Sequence, residues 1–438
     1  MCALWNGSKR LGSTSGKSVL RLELTAPSQT AKISMQTARI ARLDRSVWMI
    51  APGGVWKHLA ALFLPALWLG CATAQSQSPG AIDPDFNAGA MDGAVRAIAL
   101  APDSKIVVIG DFTQIGSVAR RYVARLNSDG SLDNSFVPAP ELWLDPSNRV
   151  THVAVQSNGA VLLGGRLALP DLSGAAYLVR LTSAGSLDAS FQPVTIDPLR
   201  PVSTPSFQDT LKGLALQPDD KVVVGYSGCS ESNAPVCLIK SVVRRITAEG
   251  LPDPSFAEYS PSMPIPWQEE IQQICLEPSG SLVTLWLEDG YPWFYSASRL
   301  TPAGVGSWGM AFYGIETGMG PVAPLVDAIA ATEDGSIWVS GLFGLYPGAQ
   351  GFAGLSRVNP EGNWDLTCVG HSWPLKGLLA LPGRRILVNQ NGALTRLDSR
   401  ARVDPSWQPT PLPDTPVAMA QQADGKVLVG GAFSVGGR

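Results

Sequence analysis

The residues that recur at fixed spacing and carry chemistry are arginines and aspartates. Counting from Arg125, Arg180, Arg245, Arg299, Arg357 and Arg396, the residue eight positions on is Asp133, Asp188, Asp253, Ser307, Asp365 and Asp404. The residue eleven positions on is Phe136, Phe191, Phe256, Met310, Cys368 and Trp407. A guanidinium and a carboxylate make a charge-assisted pair, and a large apolar side chain three residues later fills a core position. The chemistry implied is structural: each unit folds back so that its Arg meets its own Asp, and the fourth copy breaks the pair.

Groups suited to turning over a substrate are sparse. Besides His58, only His152 and His371 occur, and they fall in different copies of the unit. That spacing builds no Cys/His metal set, so no metal or cofactor is expected. His152 reads as a polar position on an inner strand rather than a catalytic base. The run Gly225-Tyr226-Ser227-Gly228-Cys229 approaches a nucleophile elbow, but Cys229 stands where the second Gly is required. Asn127, Asp129 and Asp133 suggest a calcium loop. It lacks an acid at its first position, and Ala184 and Ala303 replace Asp129 in other copies, so the Asp-Gly pair reads as a hairpin turn.

The elements that must position the Arg and Asp repeat with them. Val95–Phe136 reads VRAIALAPDSKIVVIGDFTQIGSVARRYVARLNSDGSLDNSF. Its first piece alternates apolar and polar residues and meets a Pro-Asp turn. The second is a short apolar run ending in Gly, and the third ends in the Arg. First strands begin at Val95, Val150, Leu211, Ile271, Val326, Leu375 and Pro416, at spacings of 55, 61, 60, 55, 49 and 41 residues. The turn chemistry and the period are what the copies share.

With 45 Gly, 35 Pro and no long amphipathic helical pattern among 438 residues, an all-β repeat protein is expected. Units of three or four short strands cannot bury both faces alone, and at this length radial stacking into a propeller fits better than a solenoid. The expectation is a seven-bladed β-propeller built from repeats of about 41–61 residues, with the last blade incomplete.

Units of the form V-x-A-x-A-x-Q-P-D-G-K, an apolar strand ending Gly-Gly, then R-L-x-x-D-G-S-L-D-x-S-F resemble the delta-60 repeat of secreted bacterial proteins. The match spans about residues 82 to 438 and is weakest in unit four. The resemblance implies a β-propeller scaffold with no assigned activity. Ile82-Asp83-Pro84-Asp85-Phe86 is the closing half of a unit, yet the position eight before Asp83 is Gln75, not Arg. Ala81 to Asn87 are expected to supply an outer strand to the last blade. Unit seven reaches Arg438 before its own Arg strand, so the chain reads as a fragment of a longer product.

Residues 1–48 show neither hydrophobic period nor turn logic and read as a non-structured or mis-annotated leader before a start at Met49. Residues 49–74 read as a secretory signal peptide, with Lys57, an apolar run Leu59–Leu69 and a small-residue cleavage site Ala72-Thr73-Ala74. A lipidated Cys71 is the alternative. No later run reaches the roughly 18 to 20 apolar residues of a bilayer span. The propeller is expected over 75–438, in a secreted, periplasmic or cell-surface protein.

The first 74 residues carry seven more basic than acidic side chains, so without them the formal charge of −3 becomes about −10. With no basic stripe, nucleic acid is not an expected partner. Cys229 and Cys237 flank a polar insertion; they bridge its base in an oxidising compartment or remain two thiols in a variable loop. Trp143, Trp267 and Trp373 precede first strands, in loops that emerge on one face of the ring. There they stack on sugars or peptides, or fold down as plugs of the rim.

The function expected is that of an exported, non-catalytic scaffold or interaction module for an unknown protein or glycan. The alternatives are a carbohydrate-binding propeller and a polysaccharide-active enzyme using loop-face carboxylates.

Overall fold

The structure is a computed structural model that describes residues 19–22, 78–170, 172, 175–195, 210–229, 239–260, 268–289, 294–317, 320–345, 353–365, 375–412 and 414–432. Its strands form a seven-bladed β-propeller, as the period predicts. The inner strands are Val95–Leu100, Arg149–Val155, Thr210–Leu216, Gln268–Leu276, Leu325–Ala331, Leu375–Leu381 and Pro416–Gln421. Each touches the inner strands of both neighbouring blades, and the contact between Pro416–Gln421 and Val95–Leu100 closes the ring.

Sequence pattern sets the place of each strand. The inner strand mixes apolar and polar residues and is only partly covered, as in Val95–Leu100 and Arg149–Val155. The second strand, such as Ile106–Gly110 or Val427–Gly431, is a continuous apolar run because blades cover both its faces. The turn between them is tight: Ser104, Asp220 and Arg384 adopt φ of 66°, 62° and 59°, where the other turns use Gly. Each junction between blades holds its own apolar cluster. Ile109, Phe136, Leu163 and Val179 join blades one and two, and Leu285, Phe312, Phe343 and Val339 join blades four and five.

The last blade differs from expectation. Pro416–Gln421 and Val427–Gly431 supply two strands, and the third is Val19–Leu22, which pairs antiparallel with Val427–Gly430. These four residues lie inside the segment read as a leader outside the fold, and that assignment is corrected for them. The physical reason is their pattern: Val-Leu-Arg-Leu shares the order apolar-apolar-Arg-Leu with the third strand Val123–Leu126, Val-Ala-Arg-Leu, and with Leu-Val-Arg-Leu at the end of Ala175–Leu181. Val19 joins the cluster facing blade one, while Leu20 and Leu22 join the cluster facing blade six. Leu22 then bridges Ile82, so the segment Ala81–Asn87, expected to supply an outer strand, meets this edge through one isolated bridge while the sheet itself has three strands.

Candidate functional site

Every inner strand carries a β-bulge near its start. The register shifts around Arg96, Thr151, Lys212, Gln272, Asp327, Gly377 and Val417. A bulge adds one unpaired residue, bends the strand and re-aims a side chain. Six of these positions are equivalent in the repeat, and in blade six the shift falls one residue later, at Gly377 rather than at the equivalent Lys376; together they form a ring at one mouth of the channel. In blade six the extra residue is Gly377, at φ +68. The inner strand starts and the second strand ends on this side, so the loops between second and third strands emerge there too. Turns of the Pro-Asp-Gly-Lys type and the Arg-Asp pairs lie on the opposite face.

The turn face is locked by ion pairs. Arg125 Nε donates to Asp133 Oδ2 at 2.7 Å, Arg180 to Asp188 at 2.8 Å, Arg245 to Asp253 at 2.8 Å, Arg357 to Asp365 at 3.1 Å and Arg396 to Asp404 at 2.9 Å. All five pairs read from the spacing are therefore made. Asp133, Asp188, Asp253 and Asp404 also accept from the backbone N–H and hydroxyl of the Ser two residues on, such as Ser135 and Ser190. In blades one, two, three and six the guanidinium lies about 5 Å over the aromatic of the same unit: Phe136, Phe191, Phe256 and Trp407.

The pairs also join blades, which the spacing did not reveal. Arg125 Nη1 donates to the Ser183 carbonyl of the next blade at 2.6 Å, Arg245 to Pro302 at 2.7 Å and Arg357 to Ser399 at 3.0 Å. In blade four Ser307 leaves Arg299 without its usual Asp. Glu277, at the end of the inner strand, takes that place at 2.6 Å. A second cation was also missed: Lys105, Lys221 and Lys426 reach Asp133, Asp253 and Asp83 at 3.0, 3.0 and 2.6 Å. Its signal was present in the Lys that follows the turn in just those units. Burial pushes the Asp133 carboxyl up, but hydrogen bonds from Ser135, Lys105 and Arg125 outweigh it and hold it well below the usual range. Asp253 behaves alike, with Ser255, Lys221 and Arg245 as donors.

On the mouth face the side chains differ from blade to blade. Arg96 pairs with Asp111 at 2.6 Å with both groups half exposed, and Lys212 pairs with Glu270 of the next blade at 2.5 Å. Near blades four and five, burial raises the Tyr295 hydroxyl, and the charges of Asp327 and Glu270 raise it further. Glu288 is buried, burial pushes its carboxyl up, Ser296 opposes the shift, and Oε2 has no hydrogen-bond partner among the described residues. Between inner strands, Gln273 exchanges hydrogen bonds with Ile329 of the next blade at 3.0 Å in both directions. His152 holds the matching place in blade two; burial brings its imidazole down to about 4, against a backbone hydrogen bond at Lys212.

Trp143 follows the plug alternative: it is half-buried in a 3-10 turn, Pro140–Trp143, with its ring 5.0 Å from Tyr122 and against the apolar cluster of blades one and two. Trp267, Trp373, His371 and Cys237 lie outside the described residues. Cys229 ends a strand opposite Ile239. Asn127 and Asp129 are tied to Ser131 by turn hydrogen bonds and Asp133 is held by Arg125, as the hairpin reading requires. Among the described residues no group of three His, Cys, Asp or Glu side chains is placed to hold a metal ion, and no helix is long and apolar enough to cross a membrane.

Residues 101–136, 156–191 and 422–438 match a family described as "Domain of unknown function (DUF5122) beta-propeller". No curated protein matches the chain by sequence. Similar solved structures include YCF48 bound to D1 peptide, 13% identical with a TM-score of 0.43, covering 80% of this chain and 96% of that one. A gluconolactonase from Xanthomonas campestris is 12% identical with a TM-score of 0.36, covering 68% and 83%. An alpha-L-arabinanase from Penicillium chrysogenum complexed with arabinobiose is 13% identical with a TM-score of 0.35, covering 71% and 92%.

Proposed function

We propose that this chain is an exported, non-catalytic interaction module of the delta-60 kind that binds a protein or glycan partner through the mouth face of its ring. One observation carries the reading. Positions on the turn face repeat the same residues because they fasten blades together, whereas the bulge position holds Arg96, Thr151, Lys212, Gln272, Asp327, Gly377 and Val417 in turn. A ring of aligned, unlike side chains lets symmetric blades present an asymmetric surface, which is what recognition of one partner requires. Glycan and peptide arrays probed with the purified chain and with an Arg96→Glu, Lys212→Glu, Asp327→Lys variant test it. Loss of a hit in the variant supports the mouth face; an unchanged hit moves binding elsewhere and refutes the reading.

The rival reading, a polysaccharide-active enzyme, draws support from blades four and five. There Glu270 and Asp327 both act on Tyr295, and Glu288 is a buried acid whose carboxyl burial pushes up. Carboxyl groups on one face of a cleft, one of them pushed up by burial, are the groups that glycoside hydrolysis uses. Release of reducing ends from a polysaccharide panel, abolished by Glu288→Gln in a folded variant, would replace the binding proposal with this one.

A further inference from the structure

The third strand of the last blade is held unlike the other six. In blade one, Leu126 runs directly into the turn that brings Asp133 back to Arg125, eight residues away. In the last blade, Arg21 meets Asp83 across 62 residues, and no tight connection joins Val19–Leu22 to either strand beside it. The four residues nonetheless occupy a fully formed slot. Their backbone pairs with Val427–Gly430 on one edge, and on the other Asp83 N donates to Arg21 O at 2.8 Å while Leu22 bridges Ile82.

The slot reads its occupant by chemistry. Arg21 Nε donates to Asp83 Oδ2 at 2.8 Å, Nη1 donates to the Ser128 carbonyl of blade one at 2.7 Å, and the guanidinium lies 4.9 Å over the Phe86 ring. Lys426 adds a second cation to Asp83. Val19 enters the apolar cluster with Phe86 and Leu428; Leu20 and Leu22 enter the one with Trp407, Leu412 and Val429. Main-chain pairing along a sheet edge supplies affinity, and pockets for alternate side chains supply specificity.

We propose that the last blade is a strand-exchange site. It takes from a partner an extended segment of the pattern apolar-apolar-Arg-apolar in place of its own Val19–Leu22. A strand tethered by a long connection is present at an effective concentration on the order of millimolar or below. Its release costs less than release of any third strand continuous with its own blade, so a segment supplied in trans competes for the edge.

The probe is a fluorescent synthetic peptide of residues 17–24, KSVLRLEL, titrated by anisotropy into the full chain. Arg21→Ala in the chain weakens the resident strand and should tighten peptide binding at least about tenfold relative to the unaltered chain. The same peptide with Ala for Arg should bind at least about tenfold more weakly, and Asp83→Ala in the chain should remove the preference between the two peptides. Absence of saturable binding by an Arg21→Ala chain that keeps its β-sheet circular dichroism overturns the proposal, and so does binding indifferent to the peptide's Arg. A chain with a protease site inserted among residues 30–70 guards against misfolding of the variant. After cleavage, excess peptide should displace the N-terminal fragment and leave the propeller folded; a fragment that cannot be displaced also overturns it.

Discussion

Arg299 and Glu277 form an ion pair at 2.6 Å that stands in for the Arg-Asp pair of the other blades. The carboxylate comes from the end of the inner strand of the same sheet rather than from the turn after the third strand. The guanidinium still reaches the next blade, at the Pro360 carbonyl, 2.8 Å away. The inter-blade bond is therefore kept while the group that neutralises it is drawn from a different position.

The first prediction concerns this substitution. Glu277 is fully buried at its side chain, so Glu277→Ala leaves a partly buried guanidinium without its counter-ion and should cost about 3 kcal/mol. Arg299→Ala should then add little on top, because the partner it would orphan is already gone. Urea unfolding of the two single variants and the double variant gives the coupling, expected at about 1 to 3 kcal/mol. A coupling near zero would show that the pair does not hold the Arg299 guanidinium in place within blade four.

The second prediction is a pH dependence with two parts. Asp133 and Asp253 have folded values held below their unfolded ones, so the stability they contribute is present above about pH 4 and is lost as pH falls through the folded values. His152 is also lowered, from 6.5 to about 4, by burial of a group that must stay neutral. The unfolded chain binds the proton first, so stability should fall between pH 6.5 and 4, by at most about 3 kcal/mol. His152→Gln, which copies Gln273 of blade four, should flatten the curve over that window and leave the fall below pH 4 in place. Free energies of unfolding from pH 3 to 8 measure both.

The repeat was legible because its determinants are local. Arg125, Asp133, Ser135 and Phe136 sit within twelve residues of one another, so counting along the chain found the pair, its register and the blade. What counting could not find depends on groups that the chain brings together from afar. Arg21 meets Asp83 only because the ring closes, and Glu277 reaches Arg299 only because the inner and third strands flank the same second strand. The alternation of apolar residues in V-x-A-x-A gave the inner strand but not its bulge, since one extra residue leaves the pattern on either side intact. Trp143 was identified as a loop aromatic, yet its partner Tyr122 lies across a loop whose path the sequence does not state.

The third prediction separates the two demands made on turn glycines. Gly185 sits at φ +101, and a Cβ there would come within 2.3 Å of the Val137 carbonyl in the preceding blade. Gly425 sits at φ +86 with open space around it. Gly425→Ala should cost only the conformational part, about 1 to 2 kcal/mol. Gly185→Ala should cost about 1 to 3 kcal/mol more, because the junction of blades one and two must open to admit the methyl group. Thermal unfolding of the two variants side by side checks the difference, and equal losses would refute the inter-blade part.

The last prediction links the signal peptide expected at residues 49–74 to the closing blade. Cleavage after Ala74 would part Val19–Leu22 from the propeller, since all four residues lie upstream of the cut. The buried side chains Val19, Leu20 and Leu22 would leave their clusters, and Asp83 would keep Lys426 but lose Arg21. Each apolar side chain contributes about 1.5 to 3 kcal/mol when buried. Ordering four residues of backbone opposes this by about 1 to 2 kcal/mol each. The two terms nearly cancel, so the net loss should be about 1 kcal/mol and confined to one blade. A chain beginning at Gln75 should therefore show faster amide hydrogen exchange at Val427–Gly431, whose outer edge is uncovered, and unchanged exchange at Ile106–Gly110, whose partner strand Val123–Leu126 remains in place. Equal protection of Val427–Gly431 in the two chains would mean that this edge does not depend on Val19–Leu22.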